Sequence, residues 1–362
     1  MLLITGIYPP DSGGPARFSE DFARWLISKK IAVQVITYSD LIDSTYSSAS
    51  ITVKRIKRRL YIPVKIIKFV REIGSLIDKN QGVLVVGSFI ETYLASIIYG
   101  FNYTVKVPGD IVWERARNNS YTNLNIDQFQ SQRLNAKYRC YRILYSKSLR
   151  HANSVVVPSL GLYKLCVNWG VSHSKLKLIY NSVEVNIITK NNLRQKIYDI
   201  VTVCRLVSWK GVDELILYVG EKKLRMLVIG DGPEKSRLKS LAEFLHADVT
   251  FVGNISSRRV LEFVSNSKVF VLNSYYEGLP HALIEARAVG TLSVARHGTG
   301  AAEVINDDED GFLIRPDRSL EETLELALST HPDTETFVAK AQADCLNRFN
   351  KSANFSQILN LF

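Results

Sequence analysis

The sequence predicts an α/β protein built from two doubly wound parallel sheets, and three observations carry that expectation. With 362 residues the chain is too long for one ordinary domain and suits two of roughly 150 to 180 each. Short apolar runs alternate with stretches of helical periodicity, the pattern of parallel strands joined by crossover helices. After an Asn-bearing passage with Asn186, Asn191 and Asn192, the alternation starts again at Ile200. The expected division is a first domain over 1–183, a linker over 184–196, a second domain over 197–345 and a closing helix over 346–362.

In the first half, residues 2–7 (LLITGI) read as a buried strand, and the turn-rich YPPDSGGPARF follows. The helix entered through Gly13, Gly14 and Pro15 places Phe18, Phe22, Trp25 and Leu26 on one stripe. Further strands are expected at 32–37, 51–56, 83–87, 103–107 and 154–157. Between the last two lies KVPGD, Lys106 to Asp110, with Trp113 and Glu114 just beyond. In the second half a strand over 200–205 leads into VCRLVSWKG, and VIGDGPEKSRLKSLA reads as strand, tight turn and helix. Its Gly230-Asp231-Gly232-Pro233 lacks the third glycine of a dinucleotide fingerprint, so a nicotinamide site is poorly supported. Strand 249–252 ends at Gly253-Asn254. Strand 269–272 runs through a loop into a short helix whose first turn holds Pro280 and whose end is marked by Gly290.

Composition narrows the class of protein. Hydrophobic residues make up 46% and charged residues 22%, as in ordinary globular chains. No 18-residue apolar window lacks a charge and the first residues lack a signal-peptide pattern, so no membrane span is expected. Cys140, Cys166, Cys204 and Cys345 stand singly in apolar contexts, which fits buried thiols in a reducing cytoplasm better than a metal site. The net charge of +11 is unevenly divided: residues 1–183 hold 25 Lys and Arg against 11 Asp and Glu, and the remainder 21 against 24. Residues 54–71 alone carry eight basic side chains interleaved with Ile, Val, Tyr and Phe, and 133–150 is a second basic run. Such a face suits an anionic membrane surface or plain solvent; nucleic acid is disfavoured because no binding motif accompanies it. The acidic run 307–310 invites a metal reading, but a solvated turn before Gly311 is the plainer one.

The chemistry concentrates in SYYEGLPHALIEARAVG, residues 274–290. Glu277 lies in the loop before the helix and Glu285 inside it. Eight residues at helical rise span roughly 12 Å, so the two carboxylates could hold two parts of one elongated ligand. Between them a helix N-terminus over Gly278, Leu279 and Pro280 suits a phosphate or diphosphate. Arg205 at a strand end and Lys210 at the next helix could neutralise the same diphosphate. On spacing alone, each of these residues equally fits a solvated loop, helix or surface ion pair. Gly13 and Gly14 offer a second anion cradle, although tight turns use the same pair.

The wording EGLPHALIEARAVG after a buried strand closely resembles the signature of the retaining glycosyltransferases of family four, which have the GT-B fold of two Rossmann-like domains facing across a cleft. The resemblance returns at the Gly-Gly loop, at 155–185, at VCRLVSWKG and at RHGTGAAEVINDDEDGFLI, and covers nearly the whole chain. It implies transfer of a hexose from a nucleotide sugar, UDP- or GDP-linked, to a glycan or lipid-linked acceptor, in cell-surface polysaccharide or glycolipid synthesis. It implies no metal or further cofactor and a final helix that returns to the first domain; the cysteines and the basic face lead to the expectation of a cytoplasmic protein peripheral to the inner face of the membrane. Glu277 would contact the hexose, Glu285 the ribose, Arg205 and Lys210 the diphosphate, and Gly13, Gly14, Gly278, Leu279 and Pro280 the donor phosphates. Gly232 and Asn254 complete the expected donor-binding set, Asn254 near the base. Three departures stand out. Relatives carry a His near the end of strand 103–107 where this chain has only Asp110, which becomes a catalytic candidate beside the plainer reading of a turn residue. Asn181-Ser182 replaces Asn-Gly, and Cys204 stands where Gly is usual. The missing His keeps open an alternative, a GT-B protein that binds nucleotide sugar or lipid without turnover.

Overall fold

A computed structural model describes the chain apart from residues 12, 41–44, 48–49, 79, 185–195, 299 and 330–333. The expected linker therefore lies almost wholly outside the described residues. The chain forms two compact units, Met1–Ile179 with Ser352–Phe362, and Tyr180–Lys351. Both are doubly wound α/β units, as the alternation predicts.

The first unit holds an eight-stranded sheet. Its strands are β1 (Leu2–Thr5), β2 (Val33–Ser39), β3 (Thr45–Ser47), β4 (Ile51–Lys57), β5 (Val83–Val85), β6 (Thr104–Lys106), β7 (Ser154–Val157) and β8 (Leu176–Leu178), in the order β3-β4-β2-β1-β5-β6-β7-β8. All neighbours are parallel except the edge pair β3 and β4; β3 follows no apolar run and was not foreseen. One face is covered by the helix Gly14–Ser28 and by the end of the chain. Phe18, Phe22, Phe355 and Ile358 are all buried there, with Phe355 set edge-on to Phe18 and Phe22 at 5.7 and 5.1 Å. Each such aromatic contributes about 2 kcal/mol through burial.

The second unit has six parallel strands: β9 (Tyr198–Val203), β10 (Arg225–Ile229), β11 (Asp248–Gly253), β12 (Ser267–Leu272), β13 (Leu292–Arg296) and β14 (Phe312–Ile314). Their order, β11-β10-β9-β12-β13-β14, is that of a Rossmann sheet. Alternate side chains feed two cores. Val201, Leu227, Phe270 and Ala295 face one layer, while Ile200, Val228, Val271 and Val294 face the other. Burial on both faces is why these strands read as continuous apolar runs. The order reverses between β9 and β12, and in an open sheet that reversal leaves a crevice at the carboxyl ends.

Candidate active site

The crevice of the second unit is shaped by backbone close approaches that only glycine permits. Gly230 has φ 132°, and a Cβ there would meet the Cys204 carbonyl oxygen at 1.9 Å. At Gly232 a Cβ would stand 2.2 Å from the Leu206 carbonyl oxygen. The turn after β10 therefore lies against the segment that leaves β9, and Leu206 N–H donates to Asp231. Gly211, left-handed at φ 59°, packs on Asn273, whose Nδ2 would be 2.5 Å from an added Cβ. These contacts draw the loop after β9 onto the loop after β12.

They bring Lys210 to Glu277. The Lys210 Nζ lies 2.5 Å from Glu277 Oε1, and each side chain is 14% exposed. That degree of burial strengthens the pair beyond a surface ion pair while leaving both groups reachable by a ligand. Lys210 sits in a 3-10 turn, Ser208–Lys210, just before the helix Val212–Lys222, rather than opening that helix. Arg205 stands two residues past the end of β9, exposed and without a side-chain partner among the described residues. The crevice thus offers one committed cation and one uncommitted cation.

A polar clamp that the motif reading missed fixes this arrangement. Asn273 Nδ2 donates to the Gly211 carbonyl at 2.9 Å and to Glu214 at 3.1 Å. Its Oδ1 accepts from Arg296 Nε at 3.0 Å, and Arg296 Nη2 meets Glu214 at 2.8 Å. Tyr275 donates its hydroxyl to Glu214 and lies under the Arg296 guanidinium, 4.3 Å from ring centroid to Cζ. The signal was present: Asn273 and Arg296 occupy the carboxyl ends of adjacent strands, where polar residues have no packing reason to be.

The helix His281–Ala288 follows, with Pro280 as its N-cap rather than in its first turn. Proline supplies no capping side chain, so the N-terminus is left for another acceptor. Asn181 donates its Nδ2 to the Leu279 carbonyl at 2.8 Å, and Gly300 N–H donates to the Glu277 carbonyl at 3.0 Å. A Cβ at Gly300 would stand 2.0 Å from the Gly278 oxygen, so the loop after β13 clasps 277–279 from the other side. Glu285 is buried at 8% exposure, on a helix whose Leu283 and Ile284 are core residues. Gly290, at φ 75°, follows the helix as expected.

The other expected residues lie on other segments. Asn254 is exposed at the end of β11, the far edge of the sheet. Gly13, Gly14 and Asp110 belong to the first unit. Gly13, at φ 144°, is the N-cap of the helix Gly14–Ser28, and a Cβ on Gly14 would meet nothing within 4 Å. Asp110, a catalytic candidate by sequence, is fully buried and caps the helix Ile111–Asn118. Its Oδ1 accepts from the Val112 and Trp113 N–H groups at 2.9 and 3.0 Å, and its Oδ2 from Gln130 at 2.8 Å. Burial raises its pKa, against those hydrogen bonds, which lower it. Helix capping and Gln130 engage both oxygens within the first unit.

Two further readings change. The acidic turn is ion-paired rather than solvated: Asp307 and Asp308 meet Arg318, and buried Asp310 binds buried Arg287 at 2.9 Å. Cys166 and Cys345 are buried, but Cys140 is exposed. Among the described residues no group of three or more His, Cys, Asp or Glu side chains is placed to hold a metal ion. No helix among them is long and apolar enough to cross a membrane.

Known proteins share this architecture. A family profile described as glycosyl transferases group 1 matches residues 184–344. An uncharacterized glycosyltransferase of Methanocaldococcus jannaschii is 29% identical over 188 residues, 48% of each chain. The chain spans about half the length of the curated relatives it matches. Sucrose-phosphate synthase from Thermosynechococcus elongatus superposes with a TM-score of 0.81 over 99% of this chain and 97% of its own, at 19% identity. HepE from Anabaena, solved in complex with UDP and glucose, gives 0.77 over 99% and 98%, at 18% identity. The crevice residues Arg205, Lys210, Glu277 and Glu285 all fall inside the matched segment. The chain has the GT-B fold, and its residues 184–344 match the profile of glycosyl transferases group 1.

Proposed function

We propose that the protein is a retaining glycosyltransferase that moves a hexose from a UDP- or GDP-sugar to the hydroxyl of a glycan or lipid-linked acceptor, in cell-surface polysaccharide or glycolipid synthesis. The observation that carries this is the Lys210–Glu277 pair beside the unpaired Arg205 at the β9/β12 reversal. Departure of a nucleoside diphosphate is the event that develops charge, and fixed cations aimed at it lower the barrier without reorganisation. Arg205 is free to meet the diphosphate. Lys210 is held by Glu277 until a donor arrives; the ammonium then turns to phosphate and the carboxylate to sugar hydroxyls. The uncapped helix at His281 adds its N–H groups to the same anion. Glu285, a turn deeper, takes the ribose. This set stabilises the leaving group with side chains and backbone alone, and the departing phosphate serves as base, so that Glu277 and Glu285 are not the paired carboxylates of glycoside hydrolysis.

The basic excess of the first half supports a peripheral place on the inner face of a membrane, in the cytoplasm. Within 54–71, Lys54 and Arg58 are paired with Glu72 and Asp40, at 2.8 and 3.2 Å. The helix Ile62–Leu76 presents the exposed Tyr61, Ile62, Val64 and Ile67 beside Lys65 and Lys68, an apolar and basic face suited to anionic lipid.

Titration calorimetry with UDP, GDP and ADP tests the reading at its base. One nucleotide should bind, about tenfold or more weaker in Arg205→Ala, the loss expected for a charge-assisted contact. Binding of none of the three by the native chain would overturn it.

A further inference from the structure

The first unit has a sheet reversal of its own, between β1 and β5, and a pocket stands at it. Gly6, just past β1, and Ser88, just past β5, line a cavity of about 280 Å³. The two strand ends are held close, since a Cβ on Gly87 would fall 2.3 Å from the Gly6 nitrogen. Ser88 is left-handed at φ 54°, and its buried Oγ has no hydrogen-bond partner. It begins the helix Phe89–Tyr99, whose N-terminus no side chain caps. A strained residue, an orphaned hydroxyl and open N–H groups meet at one point.

The charges around this point are unbalanced. Lys65 lines the cavity with its Nζ 5.1 Å from the Tyr38 ring, and Arg115 lines it over Tyr141 at 5.3 Å. Neither has a carboxylate partner among the described residues. Arg58 is tied to Asp11 and Asp40, and the lining carboxylate, Glu91, accepts the Tyr38 hydroxyl at 2.9 Å. An anion is therefore favoured. At the mouth the side chains turn apolar: Ile62 lines the cavity yet is 57% exposed, and Ile67, 60% exposed, lies on the same helix.

We propose that this pocket binds the phosphate or diphosphate of an amphiphilic acceptor, with Lys65, Arg115 and the Ser88 helix start on the anion and Ile62 and Ile67 against the lipid chain. The word acceptor rests on the glycosyltransferase reading; the binding does not. Equilibrium dialysis of the full chain against radiolabelled farnesyl diphosphate, in EDTA and saturating UDP, tests it. GDP and ADP are added at the same level, so that whichever nucleotide the second unit's crevice takes closes it to the probe. Farnesyl diphosphate should bind about tenfold or more tighter than farnesol or inorganic diphosphate as competitors, and Lys65→Ala with Arg115→Ala should weaken it by about tenfold or more. Ile62→Ser with Ile67→Ser should weaken farnesyl diphosphate and spare inorganic diphosphate. Unchanged affinity in the Lys65/Arg115 variant, or farnesol competing equally, would overturn the anion site; inorganic diphosphate competing equally would overturn the lipid requirement. UDP affinity, measured beside each variant, reports the donor crevice separately.

Discussion

The two units solve one topological problem with different materials. Each has a sheet that reverses direction beside its first strand, between β1 and β5 in one and between β9 and β12 in the other. In the second unit the crevice is made by backbone: Gly211, Gly230, Gly232 and Gly300 admit contacts that any Cβ would block, and the charged groups are set by short loops. In the first unit one backbone approach, Gly87 on Gly6, joins the strand ends, and the rest of the pocket is made by side chains such as Tyr38, Lys65, Ser88 and Arg115, from four separate segments. A backbone-built site tolerates no substitution at its glycines but leaves a compact motif; a side-chain-built site leaves none. The basic excess follows the same division, since it belongs wholly to the first half.

The sharpest way to break this contrast is to add one methyl group to a glycine in each unit. Gly230→Ala should destabilise by more than about 3 kcal/mol, because backbone, not a flexible side chain, stands in the way. Gly14→Ala should change stability by less than about 0.5 kcal/mol. Urea unfolding of both variants compares them, and similar losses would contradict the claim that backbone crowding sets the penalty at Gly230.

A smaller effect is expected at Lys106, buried at the end of β6 with its Nζ unpartnered and 4.7 Å from the Phe18 ring. Burial lowers its pKa from 10.5 to about 7. The folded state then binds fewer protons than the unfolded state between those values, so stability rises with pH across that window. The penalty is complete below about pH 7 and gone above about 10.5. Lys106→Met should therefore stabilise the protein by about 2 kcal/mol at pH 7, with the gain shrinking toward pH 10. A gain independent of pH would show that the amine is not the cause.

The smallest effect separates structure from chemistry at Asp110. Asp110→Ala should cost about 1 to 2 kcal/mol, as the loss of a helix cap does. The pH profile of kcat/KM should keep its shape. A lost limb in that profile would place Asp110 in the catalytic set.

Most of the fold was legible because buried parallel strands are apolar on both faces and recur between helices; β3 escaped because an edge strand needs no such run. The crevice position of Lys210 and Glu277 was legible because a strand end and a glycine-bearing loop place them in two short stretches. The clamp of Asn273, Glu214 and Arg296 was harder, since 59 residues separate Glu214 from Asn273 and 82 separate it from Arg296. Asp110 stayed ambiguous in the sequence for a physical reason: a buried helix cap and a catalytic carboxylate occupy the same kind of turn, and the sequence does not show the partners of its two oxygens.

The most direct measurement is turnover of UDP-, GDP- and ADP-sugars in EDTA by the native chain, Glu277→Ala and Arg205→Ala. Release of nucleoside diphosphate from one donor, reduced about a hundredfold or more in both variants, is the predicted result. Saturable donor binding with no release by the native chain, under any acceptor supplied, would contradict the account and leave a binding protein in its place.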